Sequence, residues 1–218
     1  MTLEGTNTYL YGDEPCAVID PGPDDEGHLE RVRAAAERRG GIGAVLLTHS
    51  HSDHAAGADR LGAEAVVPAP GEERLGLRAI ATPGHADDHV CLLSADGVCF
   101  SGDLVLGEGS TIVPPDGGSL AAYMASLRRL QEEPLELICP GHGPWVTDPA
   151  AKLAEYVEHR EMRERWLLAA LERGERSKPR LLAEVWSDVP EQLRPAAAMV
   201  LEAHLEKLAA EGRLPELD

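Results

Sequence analysis

In the first half of the chain, apolar residues recur in short runs, each closed by a turn cluster. Residues 8–11 and 16–19 are β-prone, and Asp20-Pro21-Gly22-Pro23 ends the second run. Between 27 and 39, Leu29, Val32, Ala35 and Ala36 follow the 3.6-residue period of an amphipathic helix, which Gly40-Gly41 stops. Residues 42–47 form a continuous apolar run of strand length that ends at Thr48. Further strands are expected at 65–67, 77–81, 89–93, 98–101 and 135–139. Ser119 caps a helix with Leu120, Tyr123, Met124, Leu127 and Leu130 on one face, and Asp148-Pro149 opens a long helix running towards Gly174. Two more helical patterns, 179–186 and 195–210, end at Gly212; the last sets Met199, Val200, Leu205 and Leu208 on a packing face. This order is mixed α and β, neither strict βαβ alternation nor all-β.

The 218 residues suffice for one full domain and a small appendage. The acidic excess is concentrated in 1–154, so a boundary is placed there, with 155–218 as a helical extension. Hydrophobic residues make up 43% but aromatics only 4%, with a single Phe, so Ala, Leu and Val must build the core. A net charge of -18 disfavours nucleic acid and anionic membranes as partners. No run of 18 apolar residues suggests a transmembrane helix, and residues 1–5 lack the pattern of a secretory leader. The four cysteines form no C-x-x-C pair and read as buried reduced thiols. A cytoplasmic protein is expected.

The chemistry is concentrated in histidines at predicted strand ends. Thr48-His49-Ser50-His51-Ser52-Asp53-His54 follows an apolar strand. Imidazoles so dense repel when protonated and lose solvation when buried, and a divalent cation removes both objections. Nitrogen and carboxylate donors suit zinc, with iron and manganese also compatible. On an extended loop, His49 and His51 point one way while Asp53 and His54 turn to a second position, which suggests two adjacent ions. Thr82-Pro83-Gly84-His85, Phe100-Ser101-Gly102-Asp103 and Cys139-Pro140-Gly141-His142 each set one more ligand-type residue past a strand. Asp20, also after a strand, is a candidate to accept a ligand N–H. Thr48, Asp87, Asp88 and His89 are candidates to orient ligands or substrate, and Ser110 and Thr111 to donate hydrogen bonds to substrate. His159, Arg160, Arg163 and Arg165 interleave with Glu158, Glu161 and Glu164, the pattern of a salt-bridged, solvated helix face. Trp166 and Trp186 read as packed. The last helix carries Glu202, Glu206 and Glu211, unlike a helix that reads DNA.

With these motifs the chain resembles the metallo-β-lactamase superfamily, whose H-x-H-x-D-H signature is matched from His49 to His54. The resemblance, over about residues 5–148, extends to His85, Asp103 and His142, and to Asn7-Thr8-Tyr9-Leu10 and Ile19-Asp20-Pro21-Gly22. It implies a four-layer αββα sandwich with one zinc on His49, His51 and His85 and a second on Asp53, His54 and His142. Asp103 would bridge the two. A narrower likeness, in 82–89, 102–111 and the C-terminal extension, is to the lactamase-beta-2-like branch, where the extension is a small winged-helix-like unit. That branch includes a single-strand-specific endoribonuclease and polyketide thioesterases. This chain departs from it in a shorter segment between Pro68 and Leu77 and in a tail that stops soon after Gly212.

The implied reaction is hydrolysis by a hydroxide held between two zinc ions, with Asp53 orienting it and taking its proton. No G-x-S-x-G elbow is present for an acyl-serine route. A small acyl, ester or thioester substrate, free or carrier-bound, is favoured. Metal-dependent cleavage of single-stranded RNA is the alternative, and a non-catalytic binding protein on the same scaffold a third reading. A homodimer is compatible with the sequence.

Overall fold

The computed structural model describes residues 5–114 and 117–218; residues 1–4, part of the segment read for a leader, lie outside the described residues. β1 (Tyr9–Tyr11), β2 (Cys16–Ile19), α1 (Glu26–Glu37) and β3 (Ile42–Leu46) come first, then the one-turn helix α2 (Ser52–Ala55) and β4 (Ala65–Val66). β5 (Glu73–Arg74), β6 (Leu77–Ala81), β7 (Val90–Ser94), β8 (Val98–Gly102), α3 (Leu120–Gln131) and β9 (Leu137–Pro140) follow. The chain finishes with α4 (Pro149–Glu172), α5 (Lys178–Val185) and α6 (Arg194–Ala210). Two sheets form, ordered β1-β2-β3-β4 and β5-β6-β7-β8-β9.

Strict alternation along the strands builds the layers. Ala17, Ile19, Ala44 and Leu46 face Leu77, Ala79, Leu92 and Phe100 between the sheets. The intervening Val18 and Val45 point the other way, against Leu29 and Val32 of α1. On the second sheet, Ile80, Cys91, Leu93 and Cys99 pack outward against Tyr123 and Leu127 of α3 and Leu153 and Tyr156 of α4. A period of two thus sends successive side chains to different cores and yields the αββα sandwich. All four cysteines are buried and unpaired. No helix among the described residues is long and apolar enough to cross a membrane.

Strand direction positions the site. β2 and β3 are parallel, and β1 runs antiparallel to β2. In the second sheet, β6 is antiparallel to β7 and β7 to β8, so β6 and β8 share a direction, and β9 is parallel to β8. The loops after β2, β3, β6, β8 and β9, which carry the candidate residues, therefore all leave at carboxyl ends of strands. The amino ends of β1 and β7 meet them at the same edge, where Val90 N–H donates to Thr48 O at 2.8 Å across the two sheets.

α4 runs unbroken through the expected boundary at 154/155. Its first half packs on the second sheet, and from Leu167 onward it shares a separate core with Leu181, Val185, Trp186, Ala197, Leu201, Leu205 and Leu208. Several C-terminal expectations need correction. Arg160 and Arg163 are 2% and 3% exposed rather than solvated, because the C-terminal helices and the loop at 110–111 close over that face of α4. Trp166 is 46% exposed, while Trp186 is buried as expected. On α6 Leu205 and Leu208 are buried as expected, but Ala197, Leu201 and His204 complete the packing face while Met199 is 37% exposed.

Phe100 stands at the centre of the inter-sheet core, with ring centroids 5.2 Å from Tyr9 and 5.8 Å from Tyr11. In a chain with one Phe, nothing nearby replaces that volume. Phe100→Ala is expected to cost about 3–5 kcal/mol, read as a lower urea midpoint at unchanged slope.

Candidate metal centre

Thr48, His49 and His51 follow β3 in extended backbone, with His51 at φ -60°, ψ 142°, and α2 then begins at Ser52. Asp53 and His54 thus lie on a helical turn rather than on an extended loop, and this turn takes them to the second position. His49 Nε2 and His85 Nε2 each lie 3.0 Å from His51 Nδ1. The other trio is slightly wider: His142 Nε2 is 3.3 Å from His54 Nε2 and 3.4 Å from Asp53 Oδ2, and His54 Nε2 is 3.9 Å from Asp53 Oδ2. Asp103 stands between the trios. Its Oδ1 is 3.4 Å from both His54 Nε2 and His142 Nε2, and its Oδ2 is 3.6 Å from His85 Nε2.

The 3.3 and 3.4 Å spacings around His142 match ligands of a shared cation, and the 3.0 Å spacings at His51 are also hydrogen-bond distances. Four nitrogens placed about 2.0–2.1 Å from a tetrahedral ion lie about 3.4 Å apart. Asp103 Oδ1 is buried with no hydrogen-bond donor, an acceptor aimed at the two imidazoles and left for a metal. Three groups have ligand atoms within 4.8 Å of one another: His49–His51–His85, His49–His54–Asp103 and Asp53–His54–His142. The donor set of imidazole nitrogen and carboxylate oxygen suits a divalent transition ion.

The outward-facing nitrogens of His49, His54, His85 and His142 are engaged, which fixes the tautomers of these four rings. His54 Nδ1–H donates to Asp20 Oδ2 at 2.9 Å. His49 Nδ1–H donates to Thr48 Oγ1 at 3.0 Å, and that hydroxyl donates to Asp20 Oδ2 at 2.8 Å. Thr48 N–H donates to Asp20 Oδ1 at 2.8 Å. One carboxylate, 2% exposed, therefore orients a histidine of each trio. His85 Nδ1–H donates to Ile112 O, and His142 Nδ1–H to Gly5 O, both at 2.8 Å.

The other candidates serve the frame. Buried His89 accepts from Asp103 N–H at 3.2 Å and donates to Thr82 Oγ1 at 2.9 Å, so it sets the Asp103 backbone rather than His85. Thr111 Oγ1 donates to Asp103 O at 2.9 Å, and Ser110 Oγ accepts from Arg160 at 2.9 Å. Asp87 and Asp88 are exposed and make no hydrogen bond to the cluster. Sequence reasoning missed the backbone acceptors Gly5 O and Ile112 O, and the staple made by Asn7, whose Nδ2 donates to Pro140 O and Gly143 O at 3.0 and 2.8 Å. Gly141 is required: a Cβ there would lie 2.6 Å from His54 Cε1 and 2.7 Å from Asp103 Oδ1.

Electrostatics follow from this packing. Burial, reinforced by neighbouring imidazoles, holds His49 well below its ordinary value and pushes His89 down to about 3. For His54 burial acts the same way, but the carboxylates of Asp103 and Asp20 overcome it and raise the group to about 10. Asp103 is held far below the carboxylate range by His142 and His54 despite its burial.

Residues 1–75 and 68–142 match the family model of the metallo-beta-lactamase superfamily, and 179–218 that of the beta-lactamase associated winged helix domain. The lactamase-like protein adaB of Aspergillus niger is 34% identical over 251 residues, spanning 98% of this chain and 78% of its own. An atrochrysone carboxyl ACP thioesterase of Aspergillus fumigatus is 34% identical over 203 residues, spanning 82% of this chain and 63% of its own. A metallo-beta-lactamase family protein from Thermus thermophilus shares the fold, with a TM-score of 0.75 over 95% of this chain and 89% of its own at 24% identity.

Removing the common partner of both trios should loosen both. Asp20→Ala is expected to weaken metal binding about 10–100-fold, measured by competition with a chromophoric chelator. Asp103 and Asp20 favour the protonated form of His54, which must release a proton to become a ligand. Apparent affinity therefore rises with pH across the neutral range, and calorimetry in buffers of different ionisation enthalpy will report the released protons.

Proposed function

The chain belongs to the metallo-beta-lactamase superfamily and is a metal-dependent hydrolase of that group, and from this premise we propose that it uses two zinc ions to hydrolyse a small acyl ester or thioester, free or carrier-bound. The observation that carries the two-ion reading is the pair of ligand trios with Asp103 between them. His49, His51 and His85 would hold one ion, Asp53, His54 and His142 the other, and Asp103 would join both. Zinc is supported by a donor set of imidazoles with two carboxylates. Such ions supply Lewis acidity and make water a usable nucleophile near neutral pH.

The protein's own groups then have separable tasks. Asp20 and Thr48, with Gly5 O and Ile112 O, hold the imidazoles in the tautomers that leave their inner nitrogens free. Asp53 is the most open carboxylate of the cluster, with 35% of its side chain exposed against 13% for Asp103. It would orient the attacking water and accept its proton. An acyl thioester is supported by the thioesterase among the relatives and by the net charge of -18, which opposes a polyanionic substrate.

The test offers the zinc-loaded protein a panel of acyl thioesters and, separately, single-stranded RNA. Thioester turnover should vanish on chelation and return with zinc, metal analysis should find two zinc per chain, and Asp53→Ala should lower kcat/KM by about 10²–10⁴-fold. Metal-dependent RNA cleavage that is lost in Asp53→Ala, with every thioester untouched, would overturn the substrate assignment. A single bound ion in the active protein would overturn the two-ion reading.

A further inference from the structure

A cavity of about 330 Å³ opens beside the cluster, with His85 and Asp103 in one wall and the C-terminal helices in the other. Its size falls within the small-molecule class. The C-terminal wall is apolar: Trp186, Val189, Leu193, Ala196, Ala197 and Val200. Leu106 and Ile112 extend the apolar lining on the catalytic side. A substrate held at the metal ligands therefore has a greasy recess directly beside its reacting centre.

Terminal nitrogens of both arginines in this recess are engaged by the protein, while each Nε is buried without a hydrogen-bond partner. Arg163 makes a bidentate pair with Asp188 at 2.8 and 2.7 Å and lies over the Trp186 ring, 5.7 Å from its centroid. Arg160 donates to Ser110 Oγ at 2.9 Å and to Thr111 O, and lies over the Tyr123 ring, 5.3 Å from its centroid. Guanidinium groups spent on such partners brace the walls and are poorly placed to track a phosphate backbone. Trp186, 3% exposed, presents no open platform for stacking a base. Shape and apolarity are what the cavity offers.

We infer that this cavity holds the acyl chain of the substrate, and that the C-terminal helices, through Trp186, Val189, Ala196 and Val200, set acyl-chain selectivity. This rests on the acyl-hydrolase reading above and adds the residues that choose the acyl group. Hydrolysis breaks the acyl carbon–sulfur bond, water supplies the hydroxyl of the acid and a proton to the thiol, and the chain stays in the recess until the acid departs.

The experiment compares acetyl- and octanoyl-N-acetylcysteamine as substrates of the full-length zinc-loaded protein. It also follows binding of the unhydrolysable octyl thioether by the fluorescence of Trp186, with Trp186→Phe as the blank. Ala196→Phe, at a half-buried position on α6, should fill the recess and lower the octanoyl-to-acetyl ratio of kcat/KM by about tenfold or more. Val200→Ala should raise that ratio, and Ala196→Phe should weaken thioether binding. Turnover of both thioesters at the wild-type ratio in both variants, with thioether binding unaltered, would overturn the assignment while leaving the hydrolase reading intact. Thioether binding that Ala196→Phe weakens, in a protein that cleaves neither thioester, would support the cavity assignment and refute the thioester reading. A Trp186 signal given by a single-stranded oligonucleotide and not by the thioether would refute the inference.

Discussion

Five imidazoles converge at one sheet edge, and the buried carboxylates of Asp103 and Asp20 make that convergence tolerable. Protonated rings at such spacing would repel, and neutral rings buried together would leave polar nitrogens unsatisfied. Asp103 meets the inner nitrogens of three rings, while Asp20 takes the outer N–H of His54 and, through Thr48, that of His49. Much of the surrounding architecture serves to keep these two charges in place. Gly141 leaves room for Asp103, His89 fixes its backbone, and Thr8 donates to the carbonyl of Asp20 at 2.8 Å. The edge works because five strands end there in one sense, so ligands far apart in sequence arrive without long loops.

The strand ends and helix caps were legible because short-range physics fixes them. Asp25, Ser119 and Asp148 each accept a backbone N–H at a helix start. Asp148-Pro149 and Ser119 could be read directly, and the apolar runs of 16–19, 42–47 and 98–101 cover β2, β3 (one residue overrun) and most of β8. The ligand-type residues were visible because histidine at a strand end has few structural uses. The expected solvated face around Arg160 failed for a definite reason. Interleaved Glu and Arg look alike whether a helix face meets water or a second unit, and only tertiary packing decides. α2 escaped notice because four residues are too few to show a period, and Gly5 O and Ile112 O because a backbone carbonyl leaves no mark in sequence.

The C-terminal unit matches a winged-helix model, yet the same kind of fold hosts unrelated tasks, and the task must be read from its surface. In α6 the buried His204 faces Trp186, ring centroids 5.9 Å apart, and burial among cations pushes it down to about 3, so it packs as a neutral ring. Glu164 of α4 gathers Lys207 at 2.7 Å and Arg213 at 3.2 Å, and Lys178 pairs with Glu202 at 2.7 Å. These three cations are thus paired with the unit's own acids.

That internal pairing has a consequence for the edge of the catalytic layer. Exposed ion pairs contribute little stability, but Arg163, 3% exposed and hydrogen-bonded to Val185 O as well as Asp188, ties α4 to the end of α5 in a setting where breaking the pair would be costly. Arg160, one turn earlier, ties the same helix to the Ser110–Thr111 segment, and Thr111 in turn holds the carbonyl of Asp103. A continuous chain of contacts therefore runs from the C-terminal helices through α4 to the carboxylate between the two ligand trios. The apolar wall and the segment that braces Asp103 are joined by one helix, so a group resting on the first has a defined position relative to the second.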